Sequence, residues 1–431
     1  MSDGGIHEYI LDEEDRLYNF NRNVNQGFNI TQFYAGTFHP EDDIIIGGTQ
    51  DNGTLLNNLS DQSFERIRGG DGAHCAINQD NPNIVYQSFQ NGSVWRTWNI
   101  NQIPVDWDYI MDDFNEDPSD GNAIDEGVYF INPYEMNPLN NRELVFFTRQ
   151  RPWMTIEDGR SWFPLTDSIP GAFCIAFGER STGERTAFVG GIPRNDGTPF
   201  YRIDNLDLQG PGEEVNLSNS MPGILQNGVL REIVMHPVYD SVLFVAFSSF
   251  SSLSRVWKVS NIYSDNPDWE QISGDMPREL PVNDIKVHTG DPDVMAIGTD
   301  YGVFTTSNGG VNWTLVEGIP QVAIHDLRYR ESDHKLFVFT HGRGAFMGDL
   351  IPGSVTSTDD DYVIGDINIF PNPTQDILNF NTPEGQILTQ LEIFGVNGSR
   401  VFAQKVNNSI DNINISMLAP GNYILLQSFA H

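Results

Sequence analysis

From Gln32 to Gly348 the chain is written in short apolar runs cut by polar turns. Seven stretches share one order: an apolar strand, a short polar turn, a second apolar strand, a tight polar turn, then a third strand. They are "QFYAGTFHPEDDIIIGGTQDNGTLL", "AHCAINQDNPNIVYQSFQNGSVWRT", "VYFINPYEMNPLNNRELVFFTRQRPWMT", "AFCIAFGERSTGERTAFVGG", "EIVMHPVYDSVLFVAF", "DIKVHTGDPDVMAIGTDYGVFTT" and "HDLRYRESDHKLFVFTHGRGAFMG". β-Branched and aromatic residues fill the runs, and Gly, Asn, Asp and Pro punctuate them. First strands recur every roughly 40 to 59 residues, the length of a four-stranded blade. No long amphipathic helix pattern occurs. The expected architecture is all-β, an about seven-bladed β-propeller over residues 1–350.

Two turns of this repeat resemble each other closely. "TIEDGRSW" runs from Thr155 to Trp162 and "TSNGGVNW" from Thr306 to Trp313, each after a third strand. A phosphate loop would need a Lys-Ser/Thr pair and a following helix, which neither has. The glycosylation reading of Asn312-Trp313-Thr314 is weak in an Asn-rich chain. The hairpin-turn reading has the better physics. Glu157 and Asn308 stand where a side chain can hold turn amides, and Gly159 and Gly310 where the backbone angle favours glycine. Trp162 and Trp313 then pack beneath the hairpin. Burying an indole removes about 150–250 Å² from water, a gross ~4–6 kcal/mol at most.

These turns resemble the Asp-box (BNR) repeats of sialidase-like and sortilin-like β-propellers. "GGTQDNGT", "GGDGAH" and "THGRGAF" add to the likeness. It implies a structural role for Thr155, Glu157, Gly159, Trp162, Thr306, Asn308, Gly310 and Trp313. The opening "SDGGIHEYILDEEDRLYNF" reads as the outer half of a blade. Its inner half is expected either from the last repeat or from upstream blades. The start lacks the basic and apolar regions of a signal peptide, and "DGGI" reads as internal, so a fragment or misplaced start is expected.

After Leu350 the composition changes. Residues 351–363 are small, polar and acidic, as in a linker. Over 364–431, "INIFPNPTQDILNF", "LEIFGVNGSRVFAQ" and "NINISMLAPGNYILLQ" alternate as the strands of a small Ig-like β-sandwich. Phe370-Pro371-Asn372-Pro373, the "GVNG" turn and "LAPGNY", with Gly421 and Tyr423, resemble the type A C-terminal sorting domain of the type IX secretion system. The resemblance implies the secretion machinery as a partner, and a secreted or outer-surface location. Such domains continue past this point with a final strand, so a truncated copy is expected.

Charge narrows the partners. The 431 residues carry 59 acidic and 24 basic side chains, a formal net charge of −35. That disfavours nucleic acid and anionic membranes, which select Lys and Arg clusters. No apolar run reaches the roughly 18 residues of a membrane span. Cys75 and Cys174 both sit in apolar runs and read as buried small hydrophobes.

In a propeller, turns between strands two and three share a face with the links between blades. Ligand sites usually occupy that face. It carries Gln50, Asp51 and Asn52; Asp71 and His74; Arg149 and Arg151; Asp300 and Tyr301; His341 and Arg343. Asp51 and Asp71 could form a catalytic carboxylate pair. Arg149, Arg151 and Arg343 could clamp an anionic sugar. The plainer readings are a hairpin turn at Asp51, a blade link at Asp71 and a structural ion pair at Arg343. His39, His236 and His288 follow first strands on the opposite face and read as turn residues. No metal is expected from Cys/His spacing. The acidic turns "HPEDD" and "HTGDP" offer Ca²⁺ ligands, without an EF-hand loop.

The expected function is binding of an extracellular glycan or protein ligand. A glycoside hydrolase of sialidase-like or xyloglucanase-like type is the alternative, and a purely structural adhesion module the third. No complete catalytic set is visible in the sequence.

Overall fold

A computed structural model describes residues 8–11, 17–21, 30–58, 63–102, 104–111, 126–206, 210–250, 255–350, 369–370, 376–380, 387–395, 400–405, 412–416, 418 and 423–430. The chain divides into two compact units, residues 1–354 and 355–431.

The first unit opens with a hairpin of β1 (Glu8–Leu11) and β2 (Leu17–Asn21). Seven antiparallel blades follow, each meandering outward from an innermost strand. The innermost strands are β3 (Phe33–Phe38), β7 (Gly72–Ile77), β11 (Tyr134–Met136), β15 (Ala172–Glu179), β19 (Val229–Met235), β23 (Val282–Val287) and β27 (Ile324–Arg330). The second strands, such as β4 (Ile44–Thr49), β12 (Leu144–Phe147) and β24 (Met295–Thr299), are buried on both faces. That is why they read as unbroken apolar runs: each blade is packed sheet against sheet on both sides.

Six blades have four strands, and among the described residues the seventh has three. The ring closes without the β1–β2 hairpin, which pairs only with itself among the described residues. Phe337 and Phe339 of the seventh blade pack with Phe33, Ile45 and Leu55 of the first. Arg330 donates to the carbonyls of His39 and Asp42 and pairs with Asp43 at 2.9 Å. Among the described residues the last repeat therefore does not supply inner strands to the opening hairpin, which stands as a separate two-stranded sheet.

Glycines set the closest approach. A Cβ on Gly48 would lie 1.8 Å from the Ala73 carbonyl oxygen, and one on Gly72 2.3 Å from that of Gly53. The glycine-rich phrases of the first two repeats are thus where blades 1 and 2 touch through their backbones.

The second unit contains two three-stranded sheets. One orders β30 (Ile369–Phe370), β31 (Ile377–Phe380) and β34 (Asn412–Asn414); the other places β32 (Ile387–Gly395) between β33 (Arg400–Lys405) and β35 (Tyr423–Ala430). Leu378, Leu391, Ile393 and Ile413 are buried. Pro371, Asn372, Pro373 and Gly421, and the linker 351–363, lie outside the described residues. Tyr423 opens β35 and pairs with Gly395. No helix among the described residues is long and apolar enough to cross a membrane.

Candidate functional site at the channel mouth

The innermost strands share a deformation. In β3, β7, β15, β19, β23 and β27 the register with the second strand slips near the strand's start. Five slips leave one inner-strand residue without a partner, the β7 slip sets Ala73 and His74 against Ser88, and such bulges re-aim a side chain. Tyr34, His74, Phe173, Arg231, Asn283 and His325 sit at these slips, and all six line one cavity of about 220 Å³. Ile131, Pro133 and Glu135 supply the wall of the third blade, so every blade contributes. A second cavity of about 360 Å³ adjoins it, sharing Arg231, Asn283 and His325.

Bulged residues contact turns of the mouth face. The Tyr34 hydroxyl donates to Gln50 Oε1 at 3.1 Å. Asn283 Nδ2 donates to Asp300 Oδ1 at 2.8 Å. His325 Nε2 lies 3.2 Å from His341 Nδ1. The Tyr34 and His325 rings stack at 6.3 Å. Phe173 packs edge-on against Tyr129, whose face carries Arg149. Gln50, His74, Arg149, Asp300 and His341, picked from the sequence, thus stand around the mouth. The bulged residues other than His74 escaped sequence reading. Their signal was faint: a single polar or aromatic residue near the start of an otherwise apolar first strand.

Of the other candidates, some brace turns and blade links and some are exposed at turn tips. The Asp71 carboxylate accepts the backbone N–H of Asp51 at 2.7 Å, with Asp51 at φ 60°. The two thus brace one turn to the neighbouring blade link. Arg151 pairs with the buried Glu126 at 2.8 Å, and Glu126 also accepts from Thr148 and Trp153. Arg343 is exposed and donates to the Gly342 carbonyl. Tyr301 is exposed on its turn. Asn52 donates to the Gln50 carbonyl.

Below the mouth lies a network of charges that the sequence did not reveal. Lys286 contacts Glu232 at 2.8 Å and Asp284 at 2.6 Å. Arg328 contacts Asp326 through Nε at 3.1 Å and both oxygens of Glu135 at 3.1 Å. Asp284 also accepts the N–H of Leu327 in the next blade, and Asp326 that of Gly36. Burial is the leading influence throughout. It pushes the Glu232 carboxyl up to about 8 against the pull of Lys286, and raises Asp284 and Asp326 as well. At Glu135 burial opposes ionisation too, but the bidentate Arg328 outweighs it and holds the carboxyl low. His74 and His325 are pushed down to about 4 by burial, so both are neutral at pH 7.

On the opposite face the two similar turns share their bonds. The Thr155 hydroxyl accepts from the amides of Glu157 and Gly159, and the Thr306 hydroxyl from those of Asn308 and Gly310. The Trp162 indole donates to the Ile110 carbonyl, and that of Trp313 to Ile272, each in the preceding blade. His39, His236 and His288 each accept two turn amides through Nδ1. Among the described residues no group of three or more His, Cys, Asp or Glu could hold a metal ion. Both cysteines are buried and free, and burial raises both thiols.

Comparisons place this geometry. A search of curated proteins by sequence found no match. Among solved structures, the chain is similar to the GH74 enzyme of Niastella koreensis, at 15% identity and TM-score 0.53. It is similar to the GH74 xyloglucanase of Xanthomonas campestris, at 13% and 0.53. Each likeness covers 74% of this chain and 52% of the other, so the chain spans about half the length of either enzyme. YCF48 from Cyanidioschyzon merolae matches at 10% identity and TM-score 0.51, covering 74% of this chain and 95% of that one. At such identities the likeness is one of fold. Residues 368–428 match the family described as the secretion system C-terminal sorting domain. The protein is a seven-bladed β-propeller with a type IX secretion sorting domain behind it, and is secreted or carried on the outer cell surface.

Proposed function

We propose that the propeller is an extracellular binding protein of the BNR/Asp-box class, and that it receives a glycan at the mouth of its central channel. One observation carries this reading: six bulged inner strands aim six side chains into one cavity. Those side chains mix hydrogen-bonding groups with aromatic faces, which suits a ligand of hydroxyls and flat apolar ring faces. Phe130, Phe250 and Tyr301 are exposed on turns and links of the same face, at 54, 75 and 48%. Exposed rings on one face of a secreted protein mark a contact surface.

A glycoside hydrolase of xyloglucanase type is the second reading. The four carboxylates below the mouth favour it, with burial raising that of Glu232. Each is already bonded to Lys286 or Arg328, however, and a general acid or base must reach the glycosidic oxygen or its attacking water. Binding is therefore preferred. A glycan array probed with the intact protein tests it. Retention of glycans without hydrolysis supports binding. Release of reducing ends, lost on Glu232→Gln or Asp284→Asn, would establish the hydrolase instead.

A further inference from the structure

We propose that His325 and His341 together hold one late first-row divalent ion, of the zinc, nickel or copper type, at the rim of the channel mouth. The site is independent of the glycan reading and stands or falls on its own test.

The tautomer of His325 is fixed by its neighbour. The residue sits at the bulge of β27, and its Nδ1 lies 2.8 Å from the Phe33 carbonyl oxygen of the first blade. A carbonyl only accepts, so Nδ1 carries the ring hydrogen and Nε2 keeps a bare lone pair. Metal-binding histidines are commonly oriented by this same bond to a backbone carbonyl. Burial also pushes the His325 pKa down to about 4, which keeps the neutral, ligating form at pH 7.

His341 supplies the second nitrogen. It follows β28 (Lys335–Thr340) in a turn held by its own amide on the Ala323 carbonyl, at 2.8 Å, and by the Arg343 amide on the Thr340 hydroxyl, at 3.0 Å. Its Nδ1 lies 3.2 Å from His325 Nε2, the ring centroids are 4.8 Å apart, and the planes meet at 72°. One ion bound to both nitrogens at about 2.0–2.1 Å, with an angle of about 100°, sets the nitrogens roughly 3.2 Å and the centroids roughly 5 Å apart. A straight N–H···N bond of the same length would hold the centroids roughly 5.5 Å apart. The rings are therefore tilted off the N···N line, as ligands of a shared ion are. The ion replaces the hydrogen between the rings, which moves to His341 Nε2. His288 and His334 lack this geometry: their rings stack at 4.4 Å, and His288 Nδ1 already accepts two turn amides.

Room and charge agree. His341 is exposed and His325 lines both cavities, which gives the ion its path. No group of three or more His, Cys, Asp or Glu closes a cage among the described residues, so the remaining positions are open to water or a ligand oxygen. Asp300 acts on His325 as a negative charge and Arg231 as a positive one. Asp300 and the four carboxylates of the floor stand against three cations, Lys286, Arg328 and Arg231. Arg343, beside His341, is exposed and screened by water. The balance favours a cation, and imidazole nitrogen selects Zn²⁺, Ni²⁺ or Cu²⁺ over Ca²⁺ or Mg²⁺.

The test titrates the intact, tag-free protein, dialysed against a chelator, with Zn²⁺, Ni²⁺, Cu²⁺, Ca²⁺ and Mg²⁺. Calorimetry gives affinity and stoichiometry, and electron paramagnetic resonance of the Cu²⁺ form counts nitrogen ligands. The expected result is one tight ion per chain, two imidazole nitrogens on it, and at least tenfold tighter binding of Zn²⁺ than of Ca²⁺. His341→Gln should weaken that binding at least tenfold, and His334→Gln, on the same blade at the opposite face, should keep it. If His341→Gln fails to fold, the nitrogen count on the unaltered protein decides. No tight ion, fewer than two nitrogens, Ca²⁺ bound as tightly as Zn²⁺, or an affinity unchanged in His341→Gln overturns the proposal. Equal loss in His334→Gln overturns it as well.

Discussion

Arg328 of the seventh blade donates to both carboxylate oxygens of Glu135 in the third, at 3.1 Å each. The third and seventh blades face each other across a seven-membered ring, so this bond spans the channel. It also seats Asp326, whose other contact is the Gly36 amide of the first blade. Removing the guanidinium leaves two buried carboxylates uncompensated. Arg328→Gln should lower unfolding free energy by about 3–5 kcal/mol. Denaturant melts of Arg328→Gln, Glu135→Gln and the pair should show the double variant losing less than the sum.

Stability should fall above neutral pH, and the sign follows from two opposed groups. His74 and His325 have pKa values depressed from 6.5 to about 4. Their contribution is full above 6.5 and is lost as pH falls toward 4, by up to about 3 kcal/mol each. Glu232 is raised from 4.5 to about 8. Its contribution is full below 4.5 and is lost as pH rises through 8. Between 4.5 and 6.5 the effects oppose, with the raised Asp284 and Asp326 acting in the sense of Glu232 and the lowered Glu135 in that of the histidines. Above 6.5 the histidines no longer titrate, so melting temperature should fall from near neutrality toward pH 8. Glu232→Gln should flatten the alkaline limb, and a melting curve unchanged by that substitution would refute the assignment.

Trp313 is 6% exposed and bonded through its indole to the fifth blade's Ile272. Trp313→Ala should cost about 3–5 kcal/mol in a denaturant melt. Ligand affinity should not move, because this turn lies on the face away from the mouth. Trp162→Ala should cost less, since Trp162 is only half-buried.

Tyr301 and Phe250 should behave in the opposite way. Both are exposed on mouth-face turns. Alanine at either position should change stability by less than about 0.5 kcal/mol. Glycan retention on an array should drop several-fold. Unchanged retention would show that the ligand avoids the rim.

Gly48→Ala should destabilise the first two blades. The added methyl would meet the Ala73 backbone at 1.8 Å, where no side chain can yield. Hydrogen exchange is expected to rise first in β4 and β7.

The repeats were legible because each blade obeys local rules. Apolar runs such as "IIIGGT" and "LVFFT" announce strands covered on both sides, and Gly and Asn mark the turns between them. The loops carrying Gln50, Arg149, Asp300 and His341 could be placed on one face from strand order alone. The Thr155 and Thr306 turns were legible too, because their bonds stay within a few residues. The sorting domain showed itself through spaced motifs, although Pro371 to Pro373 lie outside the described residues.

Tyr34, Arg231, Asn283 and His325 were not legible as a site. A bulge depends on how a strand registers with its neighbour, and local sequence does not fix that. Nor could Glu135 be paired with Arg328, which lies 193 residues away in another blade. Sequence alone determined the wedges, their order, and the loops at each end, since these follow from period and turn chemistry. Only the closed ring decided which side chains meet on its axis, because seven strands distant in the chain converge there and burial then sets their charge.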